Sequence, residues 1–483
     1  MAAPIDGADL RRVDGATRMR PSAASASREP KLRHSYILSL LRAAVIVAAL
    51  PVHAHALGAF PGAEGFGRGA TGGRDGRIID VVNLDDSGPG SLRACVLETG
   101  PRSCIFRVAG VIVLERALLV DGPAAANLSI LGQTAPGGGI TLTVSPDSEN
   151  LYRTPLVIRR TSDVVVRHLR LRSRFANSVR NVDAVTVEAS RRVYLDHVSG
   201  SWATDENFNT HGQTSELTVA YSIFGEGLRK HSKCALIGSD PSAPQSISFW
   251  RNLCISNNDR NPDVNHFQKS CVEITDNLFY NARSEWMEVF SQFPGGTTTS
   301  VVGNYFKAGP STLVATFALK WQDVESAAQP QIYMSDNAVW SPLGKTIGMV
   351  AQDTARVLVA EPACPLESPT FADPARTYGE VLAYAGAFPR DTVDARFVKE
   401  VGALGSPGSG KLRNRAGDLD VEVPATPYAD RDLDGMADSV ETRMGANPAI
   451  FDAWDGVDDD GWSSFDRFMQ WLSQERLANR YPE

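Results

Sequence analysis

From about residue 150 to 340, apolar residues recur two apart in short runs, at Val164/Val166, Val193/Leu195, Leu217/Val219, Ile247/Phe249, Val272/Ile274 and Ile332/Met334. A further pass near Val301 keeps the pattern less well. Alternation with a period of two predicts strands with one buried face, and no convincing helical run interrupts them. Early passes begin 24 to 30 residues apart. The later ones place Asn252, Asn277, Asn304 and Asn337 at one offset, each followed by an apolar residue. Asparagine tolerates left-handed backbone, so it suits a sharp bend between two short strands, and stacked copies can hydrogen-bond from rung to rung. A coiled solenoid, whose repeats bury each other's apolar face, accounts for these features. A β-sandwich also has many short strands, but the asparagine corner and the long, irregular spacing favour an all-β parallel β-helix.

Residues 341–400 are less regular and are expected to close the solenoid. Residues 403–428, with Gly-Ser-Pro-Gly-Ser-Gly and Pro-Ala-Thr-Pro, read as a flexible linker. The expected organisation is therefore a leader over 1–56, a solenoid over 57–402, a linker over 403–428 and a separate module over 429–483.

Composition changes the picture at both ends. The chain has 483 residues, 43% hydrophobic and 22% charged, an ordinary globular profile that excludes a disordered or multispanning protein. Its formal charge of -8 argues against nucleic acid as the main partner, because phosphate neutralisation needs a basic face. The charge is uneven: residues 428–483 hold 13 Asp and Glu against 5 Arg. At the other end Lys31, Arg33 and Arg42 precede the apolar run 43–50, and Ala54 and Ala56 sit where a signal peptidase reads. Residues 1–56 are expected to be a signal peptide, with Met19 an alternative start, and the apolar stretch is too short to span a bilayer. The expected location is secreted, extracellular or periplasmic. All six cysteines, Cys95, Cys104, Cys234, Cys254, Cys271 and Cys364, follow the leader, and no metal-type Cys spacing occurs. A staple between Cys95 and Cys104 is plausible across the Gly100-Pro101 turn, whereas Cys254 and Cys271 read better as small core residues.

The acidic end carries a spaced motif. Asp430, Asp432, Asp434, Asp438 and Glu441 occupy positions 1, 3, 5, 9 and 12 of a loop with Gly435 at position 6, the pattern of an EF-hand-like calcium loop. A second copy near Asp455 has Asp458, Asp460 and Gly461 in place but Arg467 at position 12, with Asp466 only partly compensating. Phe465, Phe468, Trp471 and Leu472 fall at helical spacing and are expected to pack this module.

Several stretches resemble bacterial pectate lyases, polysaccharide lyase family one. They are Phe60-Pro-Gly-Ala-Glu-Gly-Phe-Gly67, Asn83-Leu-Asp-Asp-Ser-Gly-Pro-Gly-Ser-Leu-Arg93, Leu131-Gly-Gln-Thr-Ala-Pro-Gly137, Leu195-Asp-His-Val-Ser-Gly-Ser-Trp-Ala-Thr-Asp-Glu206 and Arg260-Asn-Pro262, in order between about residues 58 and 400. The resemblance implies a right-handed parallel β-helix and calcium-dependent β-elimination on polygalacturonate or a related acidic polysaccharide by a monomer. It implies Arg260 as the base that removes the C5 proton and Lys233 as the ligand of the substrate carboxylate. Asp183 and Asp205 match the family's calcium ligands, and Asn209 falls where relatives place another carboxylate; Glu206 contributes if the register slips by one. Two departures stand out. Asp263, Val264 and Asn265 follow Arg-Asn-Pro where relatives carry basic residues, and Asn209 replaces a charge.

Two other functions compete with a lyase. Paired carboxylates among Asp183, Asp205 and Glu206 would suit an inverting hydrolase, and a non-catalytic carbohydrate-binding solenoid would tolerate both departures. His197 beside Asp196 invites a Ser/His/Asp reading, but Ser199 and Ser201 lack a Gly-x-Ser-x-Gly elbow, so a packed structural histidine is expected.

Overall fold

A computed structural model describes residues 57–146, 153–174, 181–229, 231–293, 296–323, 328–420 and 425–482; the predicted signal peptide lies outside them. The described strands coil through three parallel sheets. Sheet A has eleven strands, from Arg77–Val81 to Leu358–Val359; sheet B has nine, from Gly110–Leu114 to Ala338–Trp340; sheet C has nine, from Leu118–Asp121 to Thr346–Val350. One turn runs through Ser162–Arg167 in sheet A, Leu169–Arg172 in sheet B and Val185–Glu188 in sheet C, then re-enters sheet A at Arg191–Asp196. The architecture is a parallel β-helix of about nine turns.

The repeat visible in the sequence is the inward face of sheet A. Val164, Val193, Leu217, Ile247 and Val272 stand opposite one another on successive strands, and so do Val166, Leu195, Val219, Phe249 and Ile274. These columns merge with sheets B and C into one apolar core. At the corner from sheet A to sheet B the asparagines form the expected ladder. Asn277 Oδ1 accepts from the Asn252 N–H at 2.8 Å, Asn304 Oδ1 from the Asn277 N–H at 2.9 Å, and Asn337 Oδ1 from the Asn304 N–H at 3.0 Å. The left-handed residue, however, is the one before each asparagine: Arg251, Asp276, Gly303 and Asp336 have φ of 56°, 52°, 72° and 55°. The asparagine holds the bend by hydrogen bonding and does not itself make it.

Helix α1, Leu92–Leu97, shelters the core at the first turns through Leu92, Cys95 and Val96. Residues 341–400 do more than close the end. They supply the last strands of all but sheet B, then return as α2, Pro374–Tyr384, and α3, Thr392–Val401, along the outside of sheet B. There Tyr378, Val381, Phe397 and Val401 bury Ile223, Leu253, Ile255 and Leu278. Residues 403–420, which read as flexible by composition, lack helix and strand but are held to this flank. Tyr280 Oη donates to the Ser409 carbonyl at 2.7 Å, and Arg413 lies 2.6 Å from Glu226.

The glycines of the 60–67 stretch let backbone lie flat on sheet A. The Gly67 N–H donates to Thr218 Oγ1 at 2.8 Å, and a Cβ there would sit 2.4 Å from the Thr218 nitrogen and the Val193 oxygen. Helices α4, Asp438–Met444, and α5, Ser464–Leu477, pack on the same sheet, with Phe465, Phe468 and Leu472 against Ile105 and Leu131. Cys95 pairs with Cys104 as expected, but Cys254 and Cys271 are not lone core residues: they pair with Cys234 and Cys364. Sequence distance concealed those partners: Cys234 and Cys254 lie on adjacent turns, and Cys364 lies in the irregular segment after Leu358–Val359. Among the described residues no helix is long and apolar enough to cross a membrane.

Candidate active site

The residues singled out for chemistry gather where four consecutive strands of sheet C begin. Asp183 precedes Val185–Glu188, Asp205 precedes Glu206–His211, Lys233 opens Lys233–Ile237, and Arg260 precedes Asp263–Asn265. Glu206 and Lys233 are direct register partners, and Lys233 bridges to Asp259. A strand repeat of ~4.8 Å therefore sets these groups one above the next. The loops ahead of these strands vary in length and carry polar residues, because only the strands need match.

Carboxylate oxygens of Asp183, Asp205 and Glu206 lie within 4.8 Å of one another. Asp183 accepts from Thr186 Oγ1 at 2.6 Å, from Asn209 Nδ2 at 3.1 Å and from the Glu206 N–H at 3.3 Å. Asn209 Oδ1 is buried with no partner. Asp205 faces His231 Nδ1 at 3.2 Å and Lys233 Nζ at 3.5 Å. Glu206, 2% exposed, reaches Arg260 Nη1 at 2.7 Å and Lys233 Nζ at 3.5 Å. Arg260 Nε is also 3.5 Å from Asp263, and Glu288 accepts the Arg260 backbone N–H at 2.9 Å.

Sequence reasoning placed Arg260, Lys233, Asp183, Asp205 and Asn209 together, but it gave Glu206 only a marginal place and it is the hub. Asp263 was noticed as a missing positive charge; it is a direct partner of Arg260. Asp259 and Glu288 went unremarked, because an isolated carboxylate gives no signal until the coil stacks it.

Burial and mutual repulsion dominate the electrostatics. Burial, reinforced by Asp205, pushes Asp183 up to about 6, against its hydrogen bonds. Burial with Asp183 and Asp205 pushes Glu206 up to about 8, although Lys233 and Arg260 pull the other way. Burial raises Glu288 to about 7 and lifts Asp263 well above its ordinary value. Burial also works to lower Arg260, but Asp263, Glu206, Asp259 and Glu288 outweigh it and hold the guanidinium above its ordinary value. Closely spaced carboxylates, an unsatisfied amide oxygen and no excess of positive charge fit a hard divalent cation with oxygen ligands.

His197 lies elsewhere, at the corner between sheets A and B. Its ring stacks between His168 at 4.7 Å and Tyr221 at 5.2 Å. Ser199 donates to Asp394 and Ser201 accepts from Arg172, so neither of these hydroxyls is paired with the imidazole.

The acidic end forms a second cluster. Oxygens of Asp430, Asp432 and Asp434 converge, as do those of Asp434, Glu441 and Asp452. Asp438 does not join them: it receives the Arg431 N–H at 2.9 Å and the Arg431 guanidinium at 3.1 Å. No helix enters the loop, since residues 425–437 are irregular, so the unit is loop then helix rather than helix–loop–helix. Asp452 lies outside the spaced motif and so was not foreseen. In the second loop Asp458 accepts from the N–H groups of Asp460 and Trp462, and Arg467 lies 3.8 Å away.

No family model matches the chain. It is 35% identical over 416 residues to a probable pectate lyase C of Aspergillus flavus, covering 84% of this chain and 92% of the relative. A probable pectate lyase C of Emericella nidulans is 33% identical over 429 residues, covering 88% and 95%. These relatives are fungal, where the motifs suggested bacterial enzymes. Among solved structures, Jun a 1, the major allergen from cedar pollen, aligns with a TM-score of 0.51 at 18% identity, over 67% of this chain and 92% of its own, and shares the fold.

Proposed function

The chain belongs to the pectate lyase family, and we propose that it is a secreted, calcium-dependent lyase cleaving polygalacturonate or a closely related uronan by β-elimination. It is a polysaccharide lyase by kinship. The observation that supports the specific reaction is the stack of Asp183/Asp205/Glu206, Lys233 and Arg260 on successive sheet C strands, which brings clustered carboxylate oxygens beside two cationic side chains.

Asp183, Asp205, Glu206 and the unsatisfied Asn209 oxygen are the groups that would hold calcium. When bound, calcium supplies positive charge that holds the substrate carboxylate and stabilises the charge building up on it. Lys233 offers a second cation to that carboxylate. Arg260 then takes the C5 proton; the C–H electron pair becomes the C4=C5 double bond, the C4–O bond breaks, and the departing sugar oxygen is protonated by solvent. A guanidinium is a base only when neutral. Asp263, Glu206, Asp259 and Glu288 keep it charged in the free protein, so the base form requires that hold to loosen when substrate binds.

An inverting hydrolase would need carboxyl groups separated by roughly 6.5–9.5 Å, whereas Asp183, Asp205 and Glu206 bring oxygens within 4.8 Å. Three disulfides suit an oxidising, exported environment. The test is ultraviolet absorbance of unsaturated ends from polygalacturonate, with and without calcium, for wild type and Arg260→Lys. A calcium-dependent rise abolished in the variant is expected. Folded wild-type protein that gives no rise at any alkaline pH, or yields saturated reducing ends, overturns the assignment.

A further inference from the structure

The buried carboxylates of the C-terminal module outnumber anything that neutralises them. Asp434 and Glu441 are fully buried, and Asp434 belongs to both oxygen triplets. Both oxygens of Asp432, both of Glu441, Oδ2 of Asp434 and Oδ1 of Asp452 are sealed from solvent and have no hydrogen-bond partner. Arg107 comes within 3.5 Å of Asp430, with its guanidinium also donating to the Tyr428 carbonyl. One shared cation cannot satisfy five carboxylates, and ionised groups left alone in such a place are strongly disfavoured.

We propose that Asp430, Asp432, Asp434, Glu441 and Asp452 bind one calcium ion that acts as a clasp, fastening the C-terminal module to the outside of sheet A. Six closed, unpartnered carboxylate oxygens, with Glu441 offering two, fall in the range calcium takes, and the all-oxygen set excludes a preference for softer metals. Asp452 replaces Asp438 as the ligand that closes the set. Asp438 is engaged by the exposed Arg431, while Asp452 spends its other oxygen on the Asn447 N–H at 2.9 Å and so is held in place.

The ligands come from three segments: the loop after residue 429, helix α4, and the turn before α5. An ion among them fixes both helices relative to each other. It also fixes what they touch. Trp454 Nε1 donates to the Gly76 carbonyl at 2.9 Å, Asp466 pairs with Arg74 at 3.2 Å, and Asp430 faces Arg107, all on the first turns of the solenoid. The second loop needs no ion, because Arg467 brings its own positive charge to Asp458 and donates to the Gly456 and Met444 carbonyls at 2.6 Å.

The clasp is independent of the lyase assignment and is tested on the full chain carrying Asp183→Asn, so that the active-site cluster is weakened in every sample. Calcium is titrated calorimetrically into metal-stripped protein, and limited proteolysis is run in calcium, in magnesium and in chelator. Asp452→Asn and Glu441→Gln are expected to lower calcium affinity at least about tenfold, and Asp438→Asn to leave it within a factor of two. Chelator is expected to release a fragment cut between residues 403 and 430, with the solenoid intact. Wild-type affinity in Asp452→Asn overturns the ligand set, as does loss of binding in Asp438→Asn. Proteolysis indifferent to chelator overturns the clasp, and equal protection by magnesium overturns the choice of ion. Lyase activity of Asp452→Asn in otherwise wild-type protein at saturating calcium reports separately on the active site.

Discussion

Asn277→Ala tests what the corner ladder contributes. Asn277 is fully buried. Its side chain donates to the Phe249 carbonyl at 2.8 Å and to Asn304 Oδ1 at 3.0 Å, and accepts from the N–H and the Nδ2 of Asn252 at 2.8 and 3.2 Å. Alanine leaves the Asn252 N–H without that acceptor, in a place water does not reach. A stranded buried donor costs about 1–3 kcal/mol, and each other lost bond about 0.5–1.5 kcal/mol. Asn252 Nδ2 still reaches the Val219 carbonyl, and Asn304 Oδ1 still accepts the residue 277 N–H, which keeps the total near 4 kcal/mol. A chain of this size shifts by ~1–2 °C per kcal/mol, so Tm should fall by about 4–8 °C. Asn337→Ala is the control. Asn337 ends the ladder and is half-buried, so water replaces part of what is lost and its shift should be less than half as large. Thermal unfolding followed by circular dichroism reads both. A fall below 1 °C in Asn277→Ala, or equal shifts for the two variants, would refute the view that buried rung-to-rung bonding holds this corner.

Three further outcomes are expected. Burial raises Asp434 from 3.8 to about 7 and Glu441 from 4.5 to about 8, so the native state keeps protons that the unfolded chain has already released. Without calcium, stability should therefore fall as pH rises from about 4 to 8; with calcium, which takes the ionised carboxylates, the gap between the two melting curves should widen across that window, and a gap independent of pH would count against it. His197→Ala should lower Tm through loss of stacking between His168 and Tyr221 while leaving the calcium dependence and pH profile of cleavage unchanged; an altered profile would make the residue part of the site. Serine replacing both Cys271 and Cys364, which are 93 residues apart, should cost about 4.6 kcal/mol by loop entropy, against about 2.6 for Cys95 and Cys104, 9 apart, so reversing that order in Tm would point to strain or residual unfolded structure.

Sheet A was legible because its strands keep two inward residues at fixed spacing, as Val193/Leu195 and Leu217/Val219 do. Sheets B and C were not. Sheet B strands mostly have three residues, too few to show a period, as at Ser199–Ser201; sheet C strands range from three to eight residues, and the turns between strands differ in length. The return of α2 and α3 along sheet B was hidden for a different reason. No helix was foreseen in 341–400, since α2 and α3 are only 11 and 10 residues long, and nothing local to Val381 or Phe397 tells which surface they cover. In the candidate active site, motif resemblance singled out Lys233 and Arg260, but their contacts with the carboxylates of Glu206 and Asp263 needed the coil. The tail shows the converse. The spaced motif picked out Asp430, Asp432, Asp434 and Glu441, whose oxygens converge with that of Asp452, yet position 9 drew Asp438 in, because a motif counts positions whereas convergence depends on direction; Asp438 accepts from Arg431 instead.

The placement of Asp183, Glu206, Lys233 and Arg260 on consecutive turns also limits how such a protein can change over generations. A loop between strands can lengthen without moving any of these groups, since each remains at the start of its own strand. Inserting one complete turn between residues 212 and 232 would instead push Lys233 and Arg260 one strand spacing, ~4.8 Å, further from Asp183 and Glu206, and the 2.7 Å contact between Glu206 and Arg260 would be lost. Lineages of this enzyme are thus free to edit loops but must keep the count of turns across the site. By the same geometry, gain or loss of whole repeats leaves the site intact only outside the turns that carry it.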